Sequence, residues 1–262
     1  MIMNKMHGRW LAARQAGLLK RVSSMYFQAA LVGLAVATTP LPAHAQLTVD
    51  KLWMDFENNS AGREDVLLRN DSDRRYYISV EPAEIVNAGR DDEMRKEYQN
   101  PQDLGLLISP NRLVLEPGQF RALRIVSIND QLSVDRVYRI RVTPKIGAIE
   151  VDNAEGDDRD ANLVVLMAYD LLVIVRPDGA TTQIVPERTQ EQITLRNIGN
   201  TNILLIDGEA CPEGELPRDC VTLPDTRLYA GAAITFDLPE PGARVRFVSR
   251  ERTHTPPKQI SF

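Results

Sequence analysis

The segment Leu163 to Val175, LVVLMAYDLLVIV, is apolar at odd and even positions alike, whereas the other strand-like runs of this chain alternate. Successive side chains of a β-strand point to opposite faces, so a strand of this composition needs cover on both. A sandwich built from the neighbouring runs buries only one. The other face is hidden by a partner or left as an adhesive edge, which makes this segment the first candidate for the working surface.

Helical periodicity is almost absent, and strand signals recur. Leu47 and Val49 alternate, but the parity changes before Leu52, Met54 and Phe56, which predicts a bulge or a strand that moves between sheets. The run Val66 to Leu68 ends at the turn Asn70-Asp71-Ser72-Asp73, and Tyr76, Ile78 and Val80 resume the alternation up to Pro82. Leu113 and Leu115, then Leu123, Ile125 and Val126, form further runs. From Val137 to Val142 the pattern places Tyr138, Ile140 and Val142 inward and Arg139 and Arg141 outward.

Arg176-Pro177-Asp178-Gly179 combines a proline with an Asp-Gly turn and sets a domain junction, giving domains 46–176 and 177–262. Beyond it, short runs such as Ile193 and Leu195, Ile203 to Ile206, and Ile234 to Leu238 describe a second, smaller all-β domain. Between Gly147 and Ala161 lies a loop with Glu150, Asp152, Glu155, Asp157, Asp158 and Asp160. It lacks the ligand order and turn glycine of an EF-hand, and mutual repulsion favours a solvated loop over a calcium site.

Residues 1–45 carry Lys5, Arg9, Arg14, Lys20 and Arg21, then the apolar stretch MYFQAALVGLAVA, then Ala43-His44-Ala45. This reads as a secretory signal peptide; a membrane anchor fits less well, because the apolar run is short and meets Thr38, Thr39 and Pro40. Export would remove 5 of the 31 basic residues and none of the 36 acidic ones, leaving 26 against 36 and a net charge of about −10. Nucleic acid is a poor partner for such a chain. Cys211 and Cys220 are the only cysteines, and in an exported protein they are expected to form one local disulfide; two thiols without a neighbouring histidine make a poor metal site.

Nothing points to an enzyme or a cofactor. His7 and His44 fall in the removed segment, leaving His254 as the one mature histidine, and there is no phosphate loop, nucleophile elbow or Cys-x-x-Cys pair.

Several segments taken in order resemble PapD-like periplasmic pilus chaperones of the chaperone–usher pathway. Ser109 to Gln119, with its Pro117-Gly118 turn before Leu123-Arg124-Ile125-Val126, resembles their Pro-Gly turn and following strand. Asp135 to Arg141 is similar to their sixth strand, and Leu163 to Pro177 to their long seventh strand with its Arg-Pro exit. Leu195 to Thr201, Leu223-Pro224 and Arg227 to Gly231 resemble second-domain signatures. The resemblance implies an all-β chain of two immunoglobulin-like β-sandwich domains in a boomerang arrangement, as a divergent branch of the family. The sandwich and donor-strand complementation are established properties of that family.

It further implies a periplasmic chaperone that lends its seventh strand to incomplete pilin subunits and delivers them to an outer-membrane usher. The strand's Arg-Pro exit places Leu163, Val165 and Met167 on the donated face and Val164, Leu166 and Ala168 toward the chaperone's own core. Members of the family anchor the subunit's terminal carboxylate with an Arg on the first strand and a Lys on the seventh; the matching positions here are Trp53 and Leu172. Arg141 is then the first candidate for a substitute anchor, with Lys51 and Lys145 behind it, each against the alternative of an ordinary solvated cation. A different class of function remains open, a structural or adhesive two-domain surface protein with this strand buried internally. Self-association through an exposed strand is also open.

Overall fold

The computed structural model describes residues 47–57, 62–147, 165–212, 220–252 and 254–262. The first ten strands are β1 (Leu47–Val49), β2 (Trp53–Glu57), β3 (Arg63–Asn70), β4 (Tyr76–Val86), β5 (Met94–Lys96), β6 (Leu106–Ser109), β7 (Arg112–Leu115), β8 (Phe120–Ser127), β9 (Arg136–Lys145) and β10 (Tyr169–Arg176). One sheet has the order β1-β3-β8-β6; the facing sheet has the order β2-β10-β9-β4-β5, with β7 also on β4. The parity change between Val49 and Leu52 is thus a change of sheet: β1 pairs antiparallel with β3, whereas β2 pairs parallel with β10.

The remaining strands are β11 (Ile184–Arg188), β12 (Gln192–Asn197), β13 (Ile203–Cys211), β14 (Val221–Leu223), β15 (Thr226–Leu228), β16 (Ala233–Asp237), β17 (Arg244–Arg250) and β18 (Lys258–Ser261). They form a sheet β11-β12-β16 and a sheet β14-β13-β17-β18, with β15 also on β13. The architecture is two immunoglobulin-like β-sandwiches. The polar stretch from Asn87 to Asp103, which carries no clear periodicity, holds only β5 and the start of a single helical turn at Pro101–Leu104.

Each sandwich has its own apolar core, one including Val66, Leu68, Leu123, Ile125, Tyr138 and Ile140, the other Ile193, Leu195, Leu205, Val245 and Phe247. Each also closes a turn with a fully buried asparagine following a Leu-Arg pair. Asn70 Nδ2 donates to the carbonyls of Arg74 and Leu115, and Asn197 Nδ2 to those of Thr201 and Leu228. An amide serves here because it donates both across the turn and to a neighbouring strand while its oxygen accepts from the turn, from Ser72 in one case and Gly199 in the other.

The doubly apolar strand is explained by what lies on its two sides. Leu171, Val173 and Val175 belong to the first core, while Leu172 and Ile174 enter a separate cluster with Ala88, Val137, Trp53 and Tyr229 of the second sandwich. From Leu171 onward the second face is covered by the neighbouring sandwich.

Arg176, 1% exposed, ties the two sandwiches together. Its Nε and Nη2 donate to Asp55 Oδ1 at 3.0 and 2.8 Å, and it also reaches Thr201 Oγ1 and the carbonyls of Asn202 and Glu251. Nearby, Asp135 accepts from Asn202 N at 2.9 Å and Asn202 Nδ2 at 2.7 Å. Replacing Arg176 with Met removes the guanidinium from the buried Asp55 carboxylate, and urea denaturation should show a loss of about 3–5 kcal/mol.

Two carboxyls set opposite pH responses. Burial pushes Asp135 up, and the hydrogen bonds from Asn202 only partly offset it. Burial also acts on Glu84, but the hydrogen bonds from Arg136 and Tyr98 prevail and hold it below the usual range. Stability from Glu84 is therefore present above its unfolded pKa and lost as pH falls through the lowered one; the Asp135 penalty is relieved as pH falls through its raised value. Denaturation across acid pH should show Glu84→Gln with a flatter acid loss, and Asp135→Asn with its largest advantage near neutral pH.

Candidate functional site

The exposed part of the apolar segment lies just before β10. Val165 is 69% and Met167 55% exposed, while Leu166 packs against the first core. Ala168 corrects the expected inward set: it is exposed, because the chain between Val165 and Ala168 is not in a strand and has not yet taken up the alternation of β10. Leu163 and Val164, like the acidic loop's carboxylates and residues 1–45, lie outside the described residues.

The boundary of β10 has a local cause. Its pairing with β9 starts at Tyr169 opposite Val142; the next three positions of β9, Thr143 to Lys145, pair with β4 alone. A continued β10 would set Met167 opposite Pro144, which has no N–H to give. On the other side β2 reaches only Leu172, whose N–H donates to Leu52 O at 2.8 Å. Tyr169 Oη pins the start of the strand to the Leu47 carbonyl at 2.5 Å. The result is an anchored strand start with an open edge, preceded by Val165 and Met167 in solvent and Leu166 on the core.

The candidate cations are spread over separate places. Lys51 Nζ lies 2.7 Å from Glu64 Oε2, which raises its pKa, so it is already paired. Arg141 is exposed and stands in register with Asp170 on one side and Glu81 on the other. Lys145 is exposed opposite Tyr77 and borders a groove of about 480 Å³ with Arg112, Val114 and Ser79. These three do not converge on one point.

Trp53 and Leu172 are direct register partners, and Arg139 pairs with Leu172 from the other side, so the three form one row across β2, β10 and β9. The guanidinium of Arg227, from the second sandwich, lies over the Trp53 ring at 4.0 Å. Burial pulls its pKa down to about 10 and pushes that of Tyr229 up. The alternation marks Arg139 as outward but not what it faces, and no local signal connects Arg227 to Trp53, since the contact crosses between sandwiches. Away from this region, Cys211 and Cys220 form the expected disulfide, with Cα atoms 4.1 Å apart. No helix among the described residues is long and apolar enough to cross a membrane.

No family model matches the sequence, and no curated protein does either. Solved structures do match. The class 5 fimbriae chaperone CfaA aligns at a TM-score of 0.62 and 16% identity over 82% of this chain and 97% of its own. The fold is that of the fimbrial chaperones. The chaperone–tip adhesion subunit pre-assembly complex CsuC–CsuE, from the archaic Csu pili of Acinetobacter baumannii, aligns at 0.56 and 12% identity over 83% and 98%. The SafA pilin–SafB chaperone complex of Salmonella enterica aligns at 0.55 and 12% over 85% and 99%. Within this fimbrial-chaperone fold, Tyr169→Phe should free the start of β10, seen as roughly tenfold faster amide exchange at Asp170 and Leu171.

Proposed function

We propose that the chain is a periplasmic chaperone of pilus assembly, which completes unfinished pilin subunits by strand donation and passes them to an outer-membrane usher. The observation that carries this reading is the exposure of Val165 and Met167 immediately before the open edge of β10. A sheet edge offers main-chain hydrogen bonds that depend little on the partner's sequence, and alternate side chains fill pockets in the partner. Leu163, two residues before Val165, continues the same parity.

Fully burying an aliphatic side chain contributes about 1.5–3 kcal/mol, so three in a subunit groove supply on the order of 5–9 kcal/mol before ordering costs are deducted. That holds a subunit while leaving exchange within reach of a competing strand. The signal-like leader and the disulfide agree with export to the periplasm. The likeness to solved chaperone–subunit complexes supports subunits as the partner class.

Replacing Val165 and Met167 with Asp puts charges where apolar pockets would receive methyl groups. Co-purification of subunits from periplasmic extracts should fall at least about tenfold, with circular dichroism of the chaperone unchanged, since both side chains are exposed in the free protein. Undiminished recovery with a folded chaperone would remove strand donation as its mechanism.

A further inference from the structure

In the second sandwich the disulfide sits in a row of charged groups that crosses one sheet. The pairing of Ala210 with Val221 sets Cys220 opposite Cys211 at the end of the β13–β14 hairpin. On the other side of β13, Arg244 of β17 is the register partner of Cys211, and Arg246 is that of Glu209. Arg246 Nη2 donates to Glu209 Oε2 at 2.8 Å and to Cys211 Sγ at 3.5 Å. The Glu209 carboxylate in turn lies within 4.8 Å of both sulfurs. Among the described residues, two guanidinium groups and one carboxylate therefore face Cys211, and the surplus charge there is positive.

The two sulfurs are not equivalent. Strand β14 is outermost in its sheet, so Cys220 stands at an edge, whereas Cys211 lies between Cys220 and β17. Both cysteines are half-buried, which leaves the bond within reach of solvent. Thiol–disulfide exchange requires a thiolate to attack one sulfur while the other departs with the bonding electron pair. Approach from the sheet edge meets Cys220 first and drives that pair toward Cys211, where Arg246 already donates. A neighbouring arginine favours the thiolate over the thiol. The hairpin also has other ties that outlast the bond: Gly208 to Ala210 pair with Val221 to Leu223, and Leu223 belongs to the second core.

We propose that Cys211–Cys220 is a thiol–disulfide exchange site for a partner dithiol, with Cys220 as the sulfur attacked and Cys211 as the leaving thiolate. A thiolate of the partner bonds to Cys220 Sγ, the Cys211–Cys220 bond breaks, and Cys211 Sγ takes the electron pair and is held as a thiolate by Arg246. The partner's second thiolate then attacks the partner's own sulfur in the mixed disulfide and releases Cys220. The partner departs as a disulfide, oxidised by two electrons, and the two protons its thiols gave up serve the two reduced cysteines. This chemistry goes beyond the subunit-binding reading and does not require it.

The test uses the exported chain, whose two cysteines are its only ones, so every thiol it releases reports on this bond. After incubation with reduced glutathione and quenching with iodoacetamide, peptide masses should place glutathione on Cys220 and the carbamidomethyl group on Cys211. Reduced dithiothreitol, a dithiol, should carry the reaction through to two free thiols. Arg246→Gln should slow that reduction about tenfold, because the leaving thiolate loses its donor. Arg246→Lys, which keeps the charge, should recover most of the rate. Three results would overturn the proposal: glutathione on Cys211 in place of Cys220, no adduct on either cysteine, or an unchanged rate in a folded Arg246→Gln. The adduct position is read on the unsubstituted chain, so it decides the matter even if Arg246→Gln does not fold.

Discussion

The buried guanidinium of Arg176 is the constraint on which the arrangement depends. Taking such a charge out of water costs several kcal/mol unless its donors are met. Here the counter-charge comes from Asp55 of the first sandwich, and neutral oxygens come from Thr201, Asn202 and Glu251 of the second. The donors are satisfied only while the two sandwiches keep one relation. That relation covers Leu172 and Ile174 and brings Arg227 onto Trp53, whereas Val165 and Met167, before Tyr169, stay exposed.

Strand β10 therefore does two jobs along its length. Its later half is buried on both faces and holds the molecule together, while its beginning is pinned by Tyr169 and open at one edge. Exposed Val165 and Met167 are an aggregation hazard in an isolated protein. Their neighbour Leu166, packed on the core, keeps them close to the sheet and limits the ordering cost of becoming a strand when a partner arrives.

Much of this was legible in sequence because the signals are local. Alternation located β3, β8 and β9, and the parity change before Leu52 marked the passage of the chain from one sheet to the other. The excess hydrophobicity of Leu163 to Val175 was legible too, but the pattern alone does not say that Leu172 and Ile174 are covered from the second sandwich while Val165 and Met167 stay exposed. An unbroken strand would place Ala168 inward; Pro144 on the neighbouring strand stands against that continuation. The stacking of Arg227 on Trp53 could not be read at all, since the two residues come from strands in different sandwiches. Arg141 and Lys145 are distinguished in the sequence only by being outward on β9, and that position alone does not say which outward cation faces the junction.

Strand donation is tested most directly by amide hydrogen exchange on the chaperone alone and in complex with a co-expressed pilin subunit. The amides of Val165 to Ala168, which have no strand partner in the free protein, should become protected by roughly a thousandfold or more when a subunit strand pairs with them. Protection that appears elsewhere on the chaperone, with these four amides still exchanging freely, would contradict donation of this strand.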